Sequence, residues 1–347
     1  MDLTSYRTLG RSGLVVSPLT LGTMTFGNDA WGSTDAEARS VFDAYLDAGG
    51  NVVDTADMYS GGRSEELVGR FVADRGARDQ TVITTKSGFF AGAPGNPNGG
   101  GNGRKHVRAA LEGSLRRLGT DYVDLYWMHV WDTVTPVEEI VQTFSDLVRE
   151  GKVRYWGLSD SPAWVVTKAA MLARANGVPG PIALQAEYSL VDRSIEREQI
   201  PAASDGGLGV CPWSPLGAGF LTGKYTRGGE RPGRLGGDNP FGDSKFTERN
   251  WTILDTLRDV AGDRPLAPVA LAWAIGRPGV ASTVVGARTL AQIESNLSAF
   301  DVDLSDDERA RLDSASALHP DFSHGVLTPE VIRAAVFGGS SVDGRGA

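Results

Sequence analysis

Cysteine is nearly absent from this chain. Cys211 stands alone, so no internal disulfide is possible, which fits a reducing compartment. Histidine is scarce too. The four present (His106, His129, His319, His324) form no set at metal-ligand spacing, so no metal is expected. Basic residues number 34 against 43 acidic ones, a net charge of −9, which argues against nucleic acid and against a polybasic membrane patch. No apolar run approaches the ~20 residues of a membrane span. The stretch from Met1 to Arg7 lacks a basic-then-apolar leader. The expectation is a cytoplasmic protein.

What the chain does have is alternation. Short apolar runs recur at Leu19–Gly22, Asn51–Asp54, Thr81–Lys86, Tyr122–His129, Val153–Ser159, Ala183–Tyr188, Gly209–Ser214 and Ser282–Gly286. They are continuous rather than alternating, as strands buried on both faces should be. Helical stretches lie between them. Ala38, Val41, Phe42, Tyr45 and Leu46 make one apolar stripe, with Thr34 and Glu37 as a capping box and Gly49 as the stop. Val107, Ala110, Leu111, Leu115 and Leu118 repeat the pattern up to Gly119. Thr135, Pro136 and Glu138 are expected to open the next helix as N-cap, first-turn proline and reciprocal cap, and Ser161 with Pro162 the one after. Eight strand–helix units in 347 residues predict a single (β/α)8 barrel domain. An open doubly wound sheet is the alternative, but its glycine fingerprint is missing after the first run, Leu21-Gly22-Thr23-Met24-Thr25-Phe26-Gly27.

Three pieces fall outside the repeat. Tyr6–Pro18 reads as a hairpin that could plug the barrel bottom. Ser87–Gly103 and Phe220–Phe246 are glycine-rich loops expected to bind or cover a ligand. The tail from about Leu318 is poorly patterned, and Gly338–Ala347 is expected to be disordered.

Four polar residues sit where apolar runs stop: Asp54, Lys86 and His129 at the ends of the second, third and fourth, and Tyr59 in the loop after the second. In a barrel these ends share the face that carries active sites. A phenol has a reference pKa near ~10 and needs help to exchange protons at neutral pH. An ammonium beside it favours the phenolate, so Lys86 would tune Tyr59, Asp54 would hold Lys86, and His129 would bond the oxygen that Tyr59 protonates. Taken singly, the lysine is a solvated rim residue, the histidine a structural group and the aspartate a cap. Their joint occurrence on neighbouring strands favours a site that polarises a carbonyl.

These residues resemble the aldo-keto reductase family, in the branch that includes channel β-subunits. Asn51-Val52-Val53-Asp54-Thr55-Ala56-Asp57-Met58-Tyr59, continued by Ser64-Glu65-Glu66-Leu67-Val68-Gly69, is similar to the family's first signature, and Lys86 and His129 match the rest of its tetrad. The likeness runs from Tyr6 to about Phe300. It implies NADPH bound across the barrel mouth, near Gly22, Thr23, Met24 and Asp54. Gly157-Leu158-Ser159-Asp160 resembles the motif that holds the nicotinamide amide, with Ser159 and Gln185 as contacts. Asp160 stands where the family usually has Asn. Trp213 matches the ring that stacks on the nicotinamide. Ser214, Pro215, Leu216, Gly217, Gly219, Leu221 and Lys224 resemble the pyrophosphate loop. Gly286, Arg288, Gln292 and Asn296 resemble the adenosine end, where Arg288 suits a 2′-phosphate. Ser295 replaces a common Glu there.

The resemblance implies an NADPH-dependent reductase of an aldehyde or ketone. Two other readings stay open: a Schiff-base enzyme using Lys86, and a cofactor-binding subunit that serves a partner. Met24, Trp31, Tyr59, Phe89, His129 and Trp131, with Phe90 beside them, are the expected substrate surface. They suit an aromatic or apolar-faced carbonyl. The oligomeric state is open.

Overall fold

The apolar runs form strands because both of their faces are buried. In the computed structural model, which describes residues 2–28, 31–229, 235, 245–319 and 321–342, every residue of Leu19–Gly22, Val52–Asp54 and Val82–Ser87 is buried. After a short antiparallel pair, β1 (Arg7–Thr8) and β2 (Val15–Val16), come the parallel strands β3 (Leu19–Gly22), β4 (Val52–Asp54), β5 (Val82–Ser87), β6 (Val123–Met128), β7 (Val153–Ser159), β8 (Ala183–Glu187), β9 (Gly209–Trp213) and β10 (Thr283–Gly286). They form one eight-stranded sheet in the order β10-β3-β4-β5-β6-β7-β8-β9. Its edges meet through a parallel bridge between Val210 and Val280, where the Ala281 N–H donates to the Val210 carbonyl at 2.8 Å. The result is the (β/α)8 barrel expected, with strand ends shifted by a residue or two.

Helices pack around it: α1 (Asp35–Asp47), α2 (Arg63–Asp74), α3 (Arg104–Leu118), α4 (Val137–Arg149) and α5 (Ala163–Ala175) follow β3 to β7. The expected capping box of α1 is present, and Gly49 (φ 92°) follows its end in the left-handed region. Gly119 (φ 63°) ends α3 in the same way. Two expected helix starts are corrected. Pro136 and Pro162 occupy the cap positions of α4 and α5, one residue ahead of the first turn. Thr135 and Ser161 are not caps: the Thr135 hydroxyl donates to Asp132 (2.6 Å) and the Ser161 hydroxyl to the Ser159 carbonyl (2.9 Å). Each hydroxyl turns back to an acceptor that precedes the helix, Asp132 or the last residue of β7, and makes no cap bond to the helix.

The β1–β2 hairpin closes the N-terminal end of the barrel. Leu9 and Val16 pack with Val52, Val82, Leu125, Trp127, Ala183, Cys211 and Val284 in one buried cluster. The Arg11 N–H donates to the Gly207 carbonyl at 2.8 Å. Between this plug and Asp54 only about 10 Å³ of space remains, so the interior is a packed core. Among the described residues no helix is long and apolar enough to cross a membrane. Residues 230–234 and 236–244 of the second expected ligand loop, and 343–347 of the expected disordered tail, lie outside the described residues.

Candidate active site

Parallel register brings the C-terminal strand ends to one rim. Gly22 pairs with Asp54, Asp54 with Thr84, and Ser159 with Gln185. Side chains two residues apart on a strand share a face, so Thr84 and Lys86 both face Asp54. Lys86 is fully buried. Its ammonium donates to Asp54 Oδ2, to the Thr55 carbonyl (2.9 Å) and to the Tyr59 hydroxyl (3.2 Å). Those three acceptors match the three protons of an ammonium. Asp54 Oδ1 in turn accepts from the Thr84 hydroxyl (2.5 Å) and from Gln185 Nε2 (3.3 Å). Burial alone would push the lysine pKa down, but the Asp54 charge, and then Tyr59, outweigh it and hold Lys86 above its usual value.

Tyr59 opens the turn Tyr59–Gly62, and Lys86 Nζ lies 4.8 Å from its ring centroid. The backbone N–H of His129 continues the β6 ladder onto the Ser87 carbonyl (2.8 Å). Its ring stands edge-on to Tyr59 at 5.8 Å and to Phe89 at 4.7 Å. Burial, aided by the Lys86 charge, pushes the His129 pKa well below the usual value, so this imidazole is neutral at pH 7. Its Nδ1 is buried without a hydrogen-bond partner.

The residues matched to the cofactor ring the same mouth, in several different ways. The Ser159 hydroxyl is buried and has no partner. Asp160 takes a left-handed backbone (φ 41°), and its Oδ1 accepts from the Trp213 indole N–H at 2.9 Å. Burial pushes the Asp160 carboxyl up to about 6; the Trp213 bond opposes that rise and Glu187 adds to it. Beyond β9 the chain turns through left-handed Ser214, Gly217, Ala218 and Gly219. The amides of Gly217 and Gly219 bond the Ser214 and Leu216 carbonyls, and that of Ala218 bonds the Ser214 hydroxyl. A Cβ on Gly219 would lie 3.0 Å from Lys224 Nζ, so the lysine folds back over this turn. Pro215 and Leu221 are buried and anchor it from below. At the β10 end, Gln292 Oε1 accepts from the Arg288 N–H (2.9 Å), Asn296 Nδ2 donates to the Gly286 carbonyl (3.5 Å), and Arg288 Nη1 donates to the Trp31 carbonyl (3.4 Å). Thr23 does not reach the mouth with its side chain; its hydroxyl bonds the Asp54 carbonyl (3.0 Å) and Ser64 (2.8 Å). Gly22 lies buried beneath, where a Cβ would meet Val284 at 2.9 Å.

Of the expected substrate residues, Trp31, Phe89 and Phe90 are exposed on the loops, Met24 is half-buried, and Trp131 packs edge-on against Trp164 at 4.9 Å. Sequence reasoning missed several supports. Thr84 was findable from its two-residue offset to Lys86. The ion pair of Glu187 at the end of β8 with Lys245 (2.5 Å) had no signal, because 58 residues separate its partners. Behind Lys86, Glu65 on α2 accepts from Thr85 (2.6 Å) and from Arg117 on α3 (2.6 Å), next to a buried Asp57 whose two carboxyl oxygens have no side-chain hydrogen-bond partner.

A model of the Aldo/keto reductase family matches residues 18–317. The chain belongs to that family. Among its relatives, a probable voltage-gated potassium channel subunit beta of Oryza sativa subsp. japonica is 40% identical over 314 residues, covering 86% of this chain and 91% of that protein. Norsolorinic acid reductase B of Aspergillus parasiticus is 35% identical over 338 residues, covering 94% and 88%. An aryl-alcohol dehydrogenase of Pestalotiopsis microspora is 33% identical over 334 residues, covering 93% and 85%. In this member of an oxidoreductase family, Asp54, Tyr59, Lys86 and His129 meet at the C-terminal rim of the barrel.

Proposed function

We propose that this chain is an NADPH-dependent reductase that converts an aldehyde or ketone to an alcohol. One observation carries the reading: a fully buried ammonium, Lys86, shared between the Asp54 carboxylate and the Tyr59 hydroxyl. The residues present also fit the cofactor. The unpartnered Ser159 hydroxyl suits a carboxamide, the Trp213 ring offers a flat face, and Lys224 and Arg288 supply cations for the phosphates, with Arg288 favouring a 2′-phosphate.

Bound there, NADPH supplies the hydride. Tyr59 gives its phenolic proton to the carbonyl oxygen, and the Lys86 charge eases that loss by stabilising the phenolate. Asp54 keeps Lys86 charged and aimed. Neutral His129 offers the oxygen a hydrogen bond without adding a competing cation. The same Asp54 contact disfavours Schiff-base chemistry, which needs an unprotonated amine. Phe89, Trp131 and Trp31 suit an aromatic or apolar-faced substrate, in keeping with the names of the norsolorinic acid reductase and the aryl-alcohol dehydrogenase. The chain then acts as one barrel domain on a small cytoplasmic carbonyl, not on nucleic acid or membrane.

The test is NADPH absorbance decay with a reactive aromatic aldehyde. Tyr59→Phe should lose about 10²- to 10⁴-fold in kcat while still binding NADPH; a variant with full rate would sink the assignment. The channel-subunit relative favours a second reading, a slow cofactor-binding subunit that serves a partner. Tight NADPH binding with negligible turnover across an aldehyde and ketone panel would select it.

A further inference from the structure

Asp160 places a second carboxylate at the mouth, beside Trp213, where the reduction chemistry uses only that of Asp54. We propose that Asp160 is a positioning residue that biases the nicotinamide site toward the oxidised cofactor, giving this chain a preference for NADP⁺ over NADPH. The inference rests on the NADPH reading and adds a direction to it.

The geometry has three parts. The left-handed backbone of Asp160 (φ 41°) is a conformation that Asp and Asn tolerate best, and its N–H is tied to the Gln185 carbonyl at 3.1 Å, so the side chain has a set origin. Its Oδ1 is fixed to the N–H of Trp213 (2.9 Å), which places the carboxylate at the edge of the ring assigned to stack on the nicotinamide. Among the described residues Asp160 has no ion-pair partner. The groups facing it are Glu187 at the end of β8, which pairs with Lys245 (2.5 Å), itself 3.9 Å from Asp192, and Lys86 on β5, which is committed to Asp54. The Asp160 charge is therefore not cancelled locally.

A nicotinamide ring carries one positive charge when oxidised and none when reduced. A nearby carboxylate attracts only the first, and the attraction is strengthened by a partly desolvated mouth. The asparagine usual in the family keeps an acceptor for the indole and lacks the charge, so Asp160→Asn removes the electrostatics while leaving the ring in place. The charge is present above about pH 6 and lost below it.

The experiment measures the dissociation constants of NADP⁺ and NADPH by calorimetry, for wild type and Asp160→Asn, at pH 8 and pH 5. The 2′-phosphate also titrates near ~6, but both forms carry it, so it cancels in their ratio. The expected result is a wild-type preference for NADP⁺ at pH 8 about tenfold greater than that of Asp160→Asn, with the two proteins converging at pH 5. A ratio independent of pH in wild type, and equal in the variant, overturns the proposal even where both nucleotides bind. Absence of binding by either nucleotide overturns the cofactor reading itself, and so the two failures are distinguishable.

Discussion

Lys86 and Asp57 are both buried ionisable groups, and they meet the cost of burial in opposite ways. Lys86 has an acceptor for each proton and stays charged. Asp57 has no side-chain donor for either oxygen, and burial, with Glu65 adding repulsion, pushes its carboxyl up to about 7 against the pull of Arg117 and the Met58 amide. Folding therefore takes up a proton at Asp57. The associated stability is complete below about pH 4, where the unfolded carboxyl is also protonated, and is lost as pH rises through about 7. Asp57→Asn should raise the unfolding free energy by about 2–4 kcal/mol at pH 8 and change it little at pH 4. Denaturant melts at the two pH values check this, and equal effects at both would show that Asp57 is not the titrating group. The strand-end residues were readable because each closes an apolar run. Asp57 is legible only as part of a signature, since nothing in its neighbours along the chain marks it as buried away from any countercharge of its own.

At the scale of elements, the hairpin shows why a local motif needs a tertiary seat. Gly10 combines φ 59° with carbonyls of Ile182 and Gly207 each 2.6 Å from where a Cβ would stand. Gly10→Ala should destabilise the fold by about 3 kcal/mol, through backbone strain and a clash that neither strand end can relieve. A drop in the urea midpoint with an unchanged slope would be the sign, and an unchanged midpoint would show that the plug is loosely seated. Strands were the most legible elements, because burial on both faces leaves a continuous apolar run. Helix starts were less so. The order Thr-Pro or Ser-Pro gives two plausible caps, and in both helices the proline holds that position while the hydroxyl before it turns back to Asp132 or to the Ser159 carbonyl.

At the scale of the molecule, the barrel closes between β9 and β10, and the chain after α-helical residues 306–315 lies on its outside. The described residues beyond Ala317 attach through exposed contacts: Arg197 to the His319 carbonyl (2.7 Å), and His324 to Glu198 (2.9 Å). Phe322, Leu327 and Val336 remain exposed. Arg193 and Arg249 instead grip Ser316, just before that point. Ending the chain after Ala317 should therefore shift Tm by no more than about 3 °C, because exposed ion pairs contribute little. A collapse of the melt would mean that the tail is part of the core.

The sequence by itself determined the barrel, through eight apolar runs separated by helical stripes, and it determined which residue types stand at the strand ends. It did so because side-chain period and turn chemistry are local properties of the chain. Tertiary structure alone decided the electrostatics: which acceptors Lys86 satisfies, that His129 is neutral, that the Ser159 hydroxyl is left open and that Asp160 leans on Trp213, 53 residues away. Desolvation and Coulomb energy depend on distance through space, and neighbours across a barrel are set by the register of strands that the chain order does not reveal.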